Sequence, residues 1–163
     1  MNSNSQVNDD PLPVTAACQL LQIDRGHIYD WRARHLLEDR GPEGALTRRD
    51  AVEAAVLVAL TAALGASKAR MAYRAVREEV RRSVPPTNFE VVWVDPDRTA
   101  IVTRTDADLL ARVRRGKPTV VVSPAERIST VLQAWSTEIE DRTSSPPPRH
   151  PRGKKRAESE ELG

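Results

Sequence analysis

Residues 14–50 read VTAACQLLQIDRGHIYDWRARHLLEDRGPEGALTRRD, and their spacing decides the N-terminal fold. Thr15 can cap a short helix through Leu21 that buries Ala17, Leu20 and Leu21. Gln22-Ile23-Asp24 forms a tight turn, and Asp24 is a good N-cap for a second helix over about 25–34. Ile28 and Trp31, three residues apart, give that helix an inward face. The loop Glu38-Asp39-Arg40-Gly41-Pro42-Glu43-Gly44, flanked by Leu36-Leu37 and Ala45-Leu46, fits a small β-wing over 38–46.

Helix, turn, helix and wing is the order of a winged helix-turn-helix. That arrangement holds one helix clear of its support so that its side chains can enter the DNA major groove. Here Ala17, Leu21, Ile23, Ile28 and Trp31 would form the support, leaving Arg25, His27, Tyr29 and Arg32 partly or wholly off that face. Arg34, the wing residue Arg40, and Arg48 and Arg49 at the next helix start would lie near phosphates. Arginine can also grip guanine bidentately, so these eight residues are the candidate DNA contacts. Bulk charge gives little help, because residues 11–50 hold six arginines and six acidic residues. Binding would then depend on a few well-placed groups, with a modest salt slope.

Outward from this stretch, Thr47 to Asp50 is a capping-box-like start with Asp in the place usually taken by Glu. The helix it opens, to about residue 64, is apolar almost all round, interrupted by Glu53 and Thr61. Such a helix is either a central core element or a homodimer seam. Gly65 ends it, and Ser67 starts a further helix to about residue 82. Arg70, Arg74, Arg77 and Arg81 share one face of that helix, as a solvated stripe or as a phosphate- or partner-contacting one. Pro85-Pro86 then breaks the helical pattern.

After this seam the order is β-β-α-β-α over 88–142. Phe89, Val91 and Trp93 point one way from a strand, and a second strand covers Thr99 to Thr103. A helix follows with Leu109, Leu110 and Val113 inward, then a short buried strand over 119–122. Ser123-Pro124-Ala125-Glu126 reads as a capping box, opening a helix with Ile128, Val131, Leu132, Trp135 and Ile139 on one stripe. The expected fold is therefore α+β: residues 13–83 as a winged helix-turn-helix with two further helices, and residues 88–142 as a small α/β module. Residues 1–12 read as a disordered polar arm, and 143–163, with PPP, a basic cluster and an acidic finish, as a disordered tail.

Residues 14–80 resemble the DNA-binding region of MerR-type regulators. Ile23-Asp24 matches that family's turn, Ile28 and Trp31 its helix core, Leu36-Leu37 its exit, Arg40 its wing arginine and Asp50 its next helix start. Gln22 and His35 stand where the family has glycines, and Tyr29 where it usually has a backbone-holding arginine. The short wing also resembles excisionase-type relatives, which bend DNA in phage and plasmid recombination. The resemblance implies a sequence-specific regulator of transcription that binds double-stranded DNA as a homodimer. Its alternatives are an excisionase-like architectural factor, or a protein-interaction adaptor on the same scaffold.

Composition bounds the remaining choices. In 163 residues with 39% hydrophobic and 4% aromatic side chains, the core must be built from Ala, Val and Leu. No apolar run is long enough for a membrane span and the polar start has no signal-peptide profile, so a cytoplasmic, nucleoid-associated location is expected. The single cysteine, Cys18, excludes an internal disulfide. Cys18, His27 and His35 lack tetrahedral metal-ligand spacing. With no Gly-rich phosphate loop, zincin motif or nucleophile elbow, no cofactor, metal or catalysis is expected.

Overall fold

The computed structural model describes residues 10–39, 41–42, 44–83, 85–95, 97–113 and 119–145. Among them the chain forms β1 (Leu12–Pro13), α1 (Val14–Leu21), α2 (Arg25–Ala33), β2 (Ala45–Leu46), α3 (Arg48–Leu64) and α4 (Ala66–Arg82). Then follow β3 (Glu90–Val94), β4 (Thr99–Thr103), α5 (Asp106–Val113), β5 (Thr119–Val122) and α6 (Ala125–Ser144). The result is a mixed helix-and-sheet fold with two small antiparallel sheets. No helix of the described residues is long and apolar enough to cross a membrane.

The centre is α3. Its start is fixed by a reciprocal capping box: Asp50 N–H donates to Thr47 Oγ1 and Thr47 N–H donates to Asp50 Oδ2, each at 3.2 Å. The all-round apolar sequence has a packing reason, since α4, α6, α1 and β5 all contact this helix. Ala51, Ala54, Ala55, Val56, Leu57 and Leu60 are buried, while Ala62 and Ala63 at its end are exposed. Small side chains on α3 and Ala69 and Ala72 on α4 let those two helices approach closely, joined through Gly65 in a positive-φ conformation (79°). One buried cluster runs from Leu12 through α3 and α4 to Trp93, Trp135 and Ile139.

The wing departs from the expected hairpin between Leu36-Leu37 and Ala45-Leu46. Leu36 and Leu37 turn into the core, and β2 pairs instead with β1, Leu12 opposite Leu46 and Pro13 opposite Ala45. Leu12 is fully buried and the Trp135 indole N–H donates to the Asp10 carbonyl, so the fold begins before the expected arm ends. Residues 1–9 and 146–163, to which the rest of the expected arm and tail belong, lie outside the described residues. Thr143 and Ser144, expected in the tail, complete α6.

In the second sheet the strand order is β4-β3-β5, antiparallel throughout. Val91 and Trp93 of β3 face the main core, and Val92 is also buried, on the other face. Two expectations fail here. Leu110 is 53% exposed rather than inward, and β5 is an edge strand with Val120 and Val121 exposed. A run of valines fits a buried strand and an edge strand equally well, so the sequence pattern does not separate them. Helix α6 also starts differently: Pro124 is its N-cap, and the Ser123 hydroxyl donates to Glu90 Oε1 instead of capping.

Candidate nucleic-acid interface

Helix α1 ends at Gln22, whose left-handed backbone (φ 56°) lets its N–H close on the Cys18 and Gln19 carbonyls. The turn carries the chain into α2 at Asp24, which takes the extended N-cap backbone without a side-chain capping bond. Ile28 and Trp31 are the buried residues of α2. His27 lies edge-on to Trp31 at 5.8 Å between ring centroids. The outer face carries Gly26, Tyr29 and Ala33, with Arg25 at its flank. Tyr29 is 52% exposed.

The candidate arginines divide into two groups. Arg32 is mostly buried, donating to the Ala45 carbonyl at 2.8 Å and pairing with Asp39 at 3.2 Å, so it ties Asp39 and β2 to α2. Arg34 is exposed and pairs with Asp30 one turn earlier, at 2.6 Å. Arg25 is exposed at the start of α2, as is Arg49 at the start of α3, beside the half-buried Arg48. Arg40 lies outside the described residues. Arg25, His27 and Tyr29 therefore share one short stretch of helix, and Arg48 and Arg49 open α3, directly after β2.

The arginine stripe of α4 has a role that its spacing alone did not reveal. Arg74 donates to the Arg34 carbonyl at 3.4 Å and Arg77 to the His35 carbonyl at 3.1 Å, at the C-terminal end of α2 where helix carbonyls lack partners. His35 itself is left-handed (φ 56°), turning the chain into Leu36 and Leu37. Arg81 reaches Glu38 at 2.8 Å and makes two hydrogen bonds to the buried Glu53, at 2.9 and 3.2 Å. The Tyr73 hydroxyl donates to the same Glu53 carboxylate at 2.7 Å. Burial alone would lower the Arg81 pKa, but the hydrogen bonds and charge of Glu53, with Tyr73 and Glu38 adding, hold it above its ordinary value. The 4-3-4 spacing marks the shared face. Its distant targets, Arg34, His35, Glu38 and Glu53, are 28 to 43 residues away and leave no local signal.

Among the described residues no group of three His, Cys, Asp or Glu side chains could hold a metal ion. Cys18 is buried, which pushes its thiol pKa up despite the nearby Arg25 charge. No protein-family model matches the chain, and no curated protein matches it either, so its own geometry carries the functional reading.

Proposed function

We propose that this chain is a winged helix-turn-helix protein that binds double-stranded DNA sequence-specifically, as a homodimer, to regulate transcription. In this reading α2 enters the major groove, the 38–46 loop lies on the backbone beside it, and the protein works on the nucleoid. The observation that carries it is the presentation of α2. Its inner face is fixed by Ile28 and Trp31 and its exit by α4, while Arg25, Gly26, His27 and Tyr29 stand exposed. A rigid helix with a free face is what groove readout requires. Gly26 adds to this, because a Cβ there would meet nothing in the chain, so the absent side chain leaves room for a close ligand.

Genomic footprinting of the tagged protein, followed by titration of the recovered duplex, tests the reading. A shared sequence among the footprints and a tenfold or greater loss of affinity in Arg25→Ala, about 1–3 kcal/mol, are expected. Footprints with no common sequence would overturn it. An adaptor on the same scaffold is the second reading, favoured by Arg32, Arg34, Arg74, Arg77 and Arg81 all contacting their own chain. It requires that duplex affinity stay at background even at low salt.

A further inference from the structure

We infer that a cleft where α3, α4 and α6 meet is a binding site for a small carboxylic acid with an apolar body, held as its monoanion through Arg48. The cleft has a volume of about 200 Å³. At about 30 Å³ for each water of the liquid, it has room for about seven water-sized groups, which suits a short acid rather than a drug-sized ligand. Val52 on α3, Val80 on α4, Pro86 in the seam and Leu132 on α6 form its apolar wall. Arg48, Arg49, Glu53, Arg81 and Ser83 supply the polar side.

The charges select the ligand. Arg49 lies 4.0 Å from Glu53, Arg77 lies 3.7 Å from Glu78, and Arg81 pairs with Glu38, Glu53 and Glu78. Those three arginines and three glutamates balance. Arg48 is half-buried in the same cleft and has no hydrogen bond or ion pair among the described residues. One uncompensated positive charge matches a carboxylate better than a phosphate monoester, which carries about −1.5 to −2. Glu53 does not repel such a ligand as a bare carboxylate would. Arg81 holds both its oxygens, at 2.9 and 3.2 Å, and the Tyr73 hydroxyl donates to it at 2.7 Å. Arg81, with only 9% of its side chain exposed, is thus a positioning residue that fixes the polar wall. The start of α3 already has its capping box, so the anchor is a side chain and not the helix end. A planar guanidinium grips a carboxylate through two parallel hydrogen bonds, and the apolar wall takes the acid's tail out of water. Arg48 and Arg49 are also candidate phosphate contacts, so an acid engaged by Arg48 withdraws it from a duplex and lowers DNA affinity. That consequence rests on the DNA-binding reading; the site itself does not.

Titration of the isotope-labelled full chain with millimolar isovalerate at constant ionic strength, followed by amide NMR, tests the site. Saturable shifts of the Arg48, Val52, Ser83 and Leu132 amides are expected with isovalerate. They are not expected with isovaleramide, its neutral isostere, or with inorganic phosphate, which has no apolar body. Arg48→Gln should weaken isovalerate about tenfold, as the loss of a hydrogen bond to a charged group does. Arg48→Lys keeps the charge and loses the fork, so it should fall in between, and it decides the matter if the spectrum shows Arg48→Gln unfolded. No saturable shift with isovalerate, an equal response to isovaleramide or phosphate, or unchanged affinity in the folded Arg48 variants would overturn the inference. Duplex binding without acid binding would sink the site alone, and acid binding without duplex affinity would sink the DNA reading alone.

Discussion

At the exit of α2, Arg32, Arg74, Arg77 and Arg81 reach carbonyls and carboxylates of their own chain, whereas Arg25, His27 and Tyr29 on the same helix stand exposed to solvent. The two regions share one helix, and each includes arginine. What separates them is the partner: the exit cluster meets helix-end carbonyls and a buried carboxylate, which must be satisfied, whereas Arg25 and Tyr29 are turned to solvent and His27 rests only edge-on against Trp31. Counting arginines therefore overstates the surface open to phosphates, and the contacts of each side chain decide its use.

The largest expected effect breaks the exit cluster. Arg81→Met leaves Glu53 buried with much of its compensation gone, and unfolding in urea should show a loss of about 3–5 kcal/mol. Adding Glu53→Leu to that variant should restore most of the loss, since an apolar pair of similar volume can replace a buried ion pair at little cost. A loss under about 1 kcal/mol in Arg81→Met would mean that the cluster does not anchor the exit, and the contrast with the outer face would fail.

The outer face should respond in the opposite sense. Arg25→Ala and Tyr29→Ala remove exposed side chains, so stability should stay within about 0.5 kcal/mol of the parent. Affinity for the recovered duplex should fall by about 1–3 kcal/mol in each. Equal losses of stability and affinity would show that these side chains support the fold, and the division into two regions would need redrawing.

Much of this was legible in the sequence where the signal is local. The Thr47–Asp50 capping box, the Ile28–Trp31 inward pair and the α6 stripe are patterns within one helix or its cap, with neighbouring members no more than four residues apart, and the structure realises each. What escaped is non-local or ambiguous in period. Leu12 sits beside a polar stretch, and only its pairing with Leu46 shows that it belongs to the core. The Arg81–Glu53 bond joins residues 28 apart, and no window of sequence holds both ends. Three valines in a row cannot say whether a second strand lies beyond them. The exposed residues of α2 could be named from the helix wheel, but the engagement of Arg32 with Ala45 depends on where β2 lands.

A smaller effect sharpens the comparison at the two bends that bracket α2. Gln22 and His35 hold φ of 56°, a conformation that costs a side chain with a Cβ about 1 kcal/mol. Gln22→Gly and His35→Gly should each stabilise the fold by up to about that amount, less the extra entropy that glycine loses on folding. Thermal unfolding checks this. Because the Arg77 bond is to the His35 backbone carbonyl, the glycine variant should keep it. A gain at Gln22 with a loss at His35 would show that the histidine side chain itself belongs to the exit cluster.

The smallest effect concerns a pair of a third kind, on the surface between α4 and the turn after β3. Lys68 Nζ lies 2.8 Å from Asp95 Oδ2, and this hydrogen bond, with help from Trp93 and the Lys68 and Arg98 charges, holds the Asp95 carboxyl below the usual carboxylate range. A folded pKa below the unfolded one means that the unfolded chain binds the proton first as pH falls. The pair therefore contributes fully above the ordinary value of 3.8, and its contribution fades as pH falls through the lower folded value. Asp95→Asn should be slightly less stable than the parent at neutral pH, with the gap closing in strong acid and in molar salt. The Arg81–Glu53 contribution should persist in molar salt, because both groups are screened from solvent by burial. If the two gaps close together as salt rises, burial does not set the exit cluster apart, and its bonds are surface pairs like Lys68–Asp95.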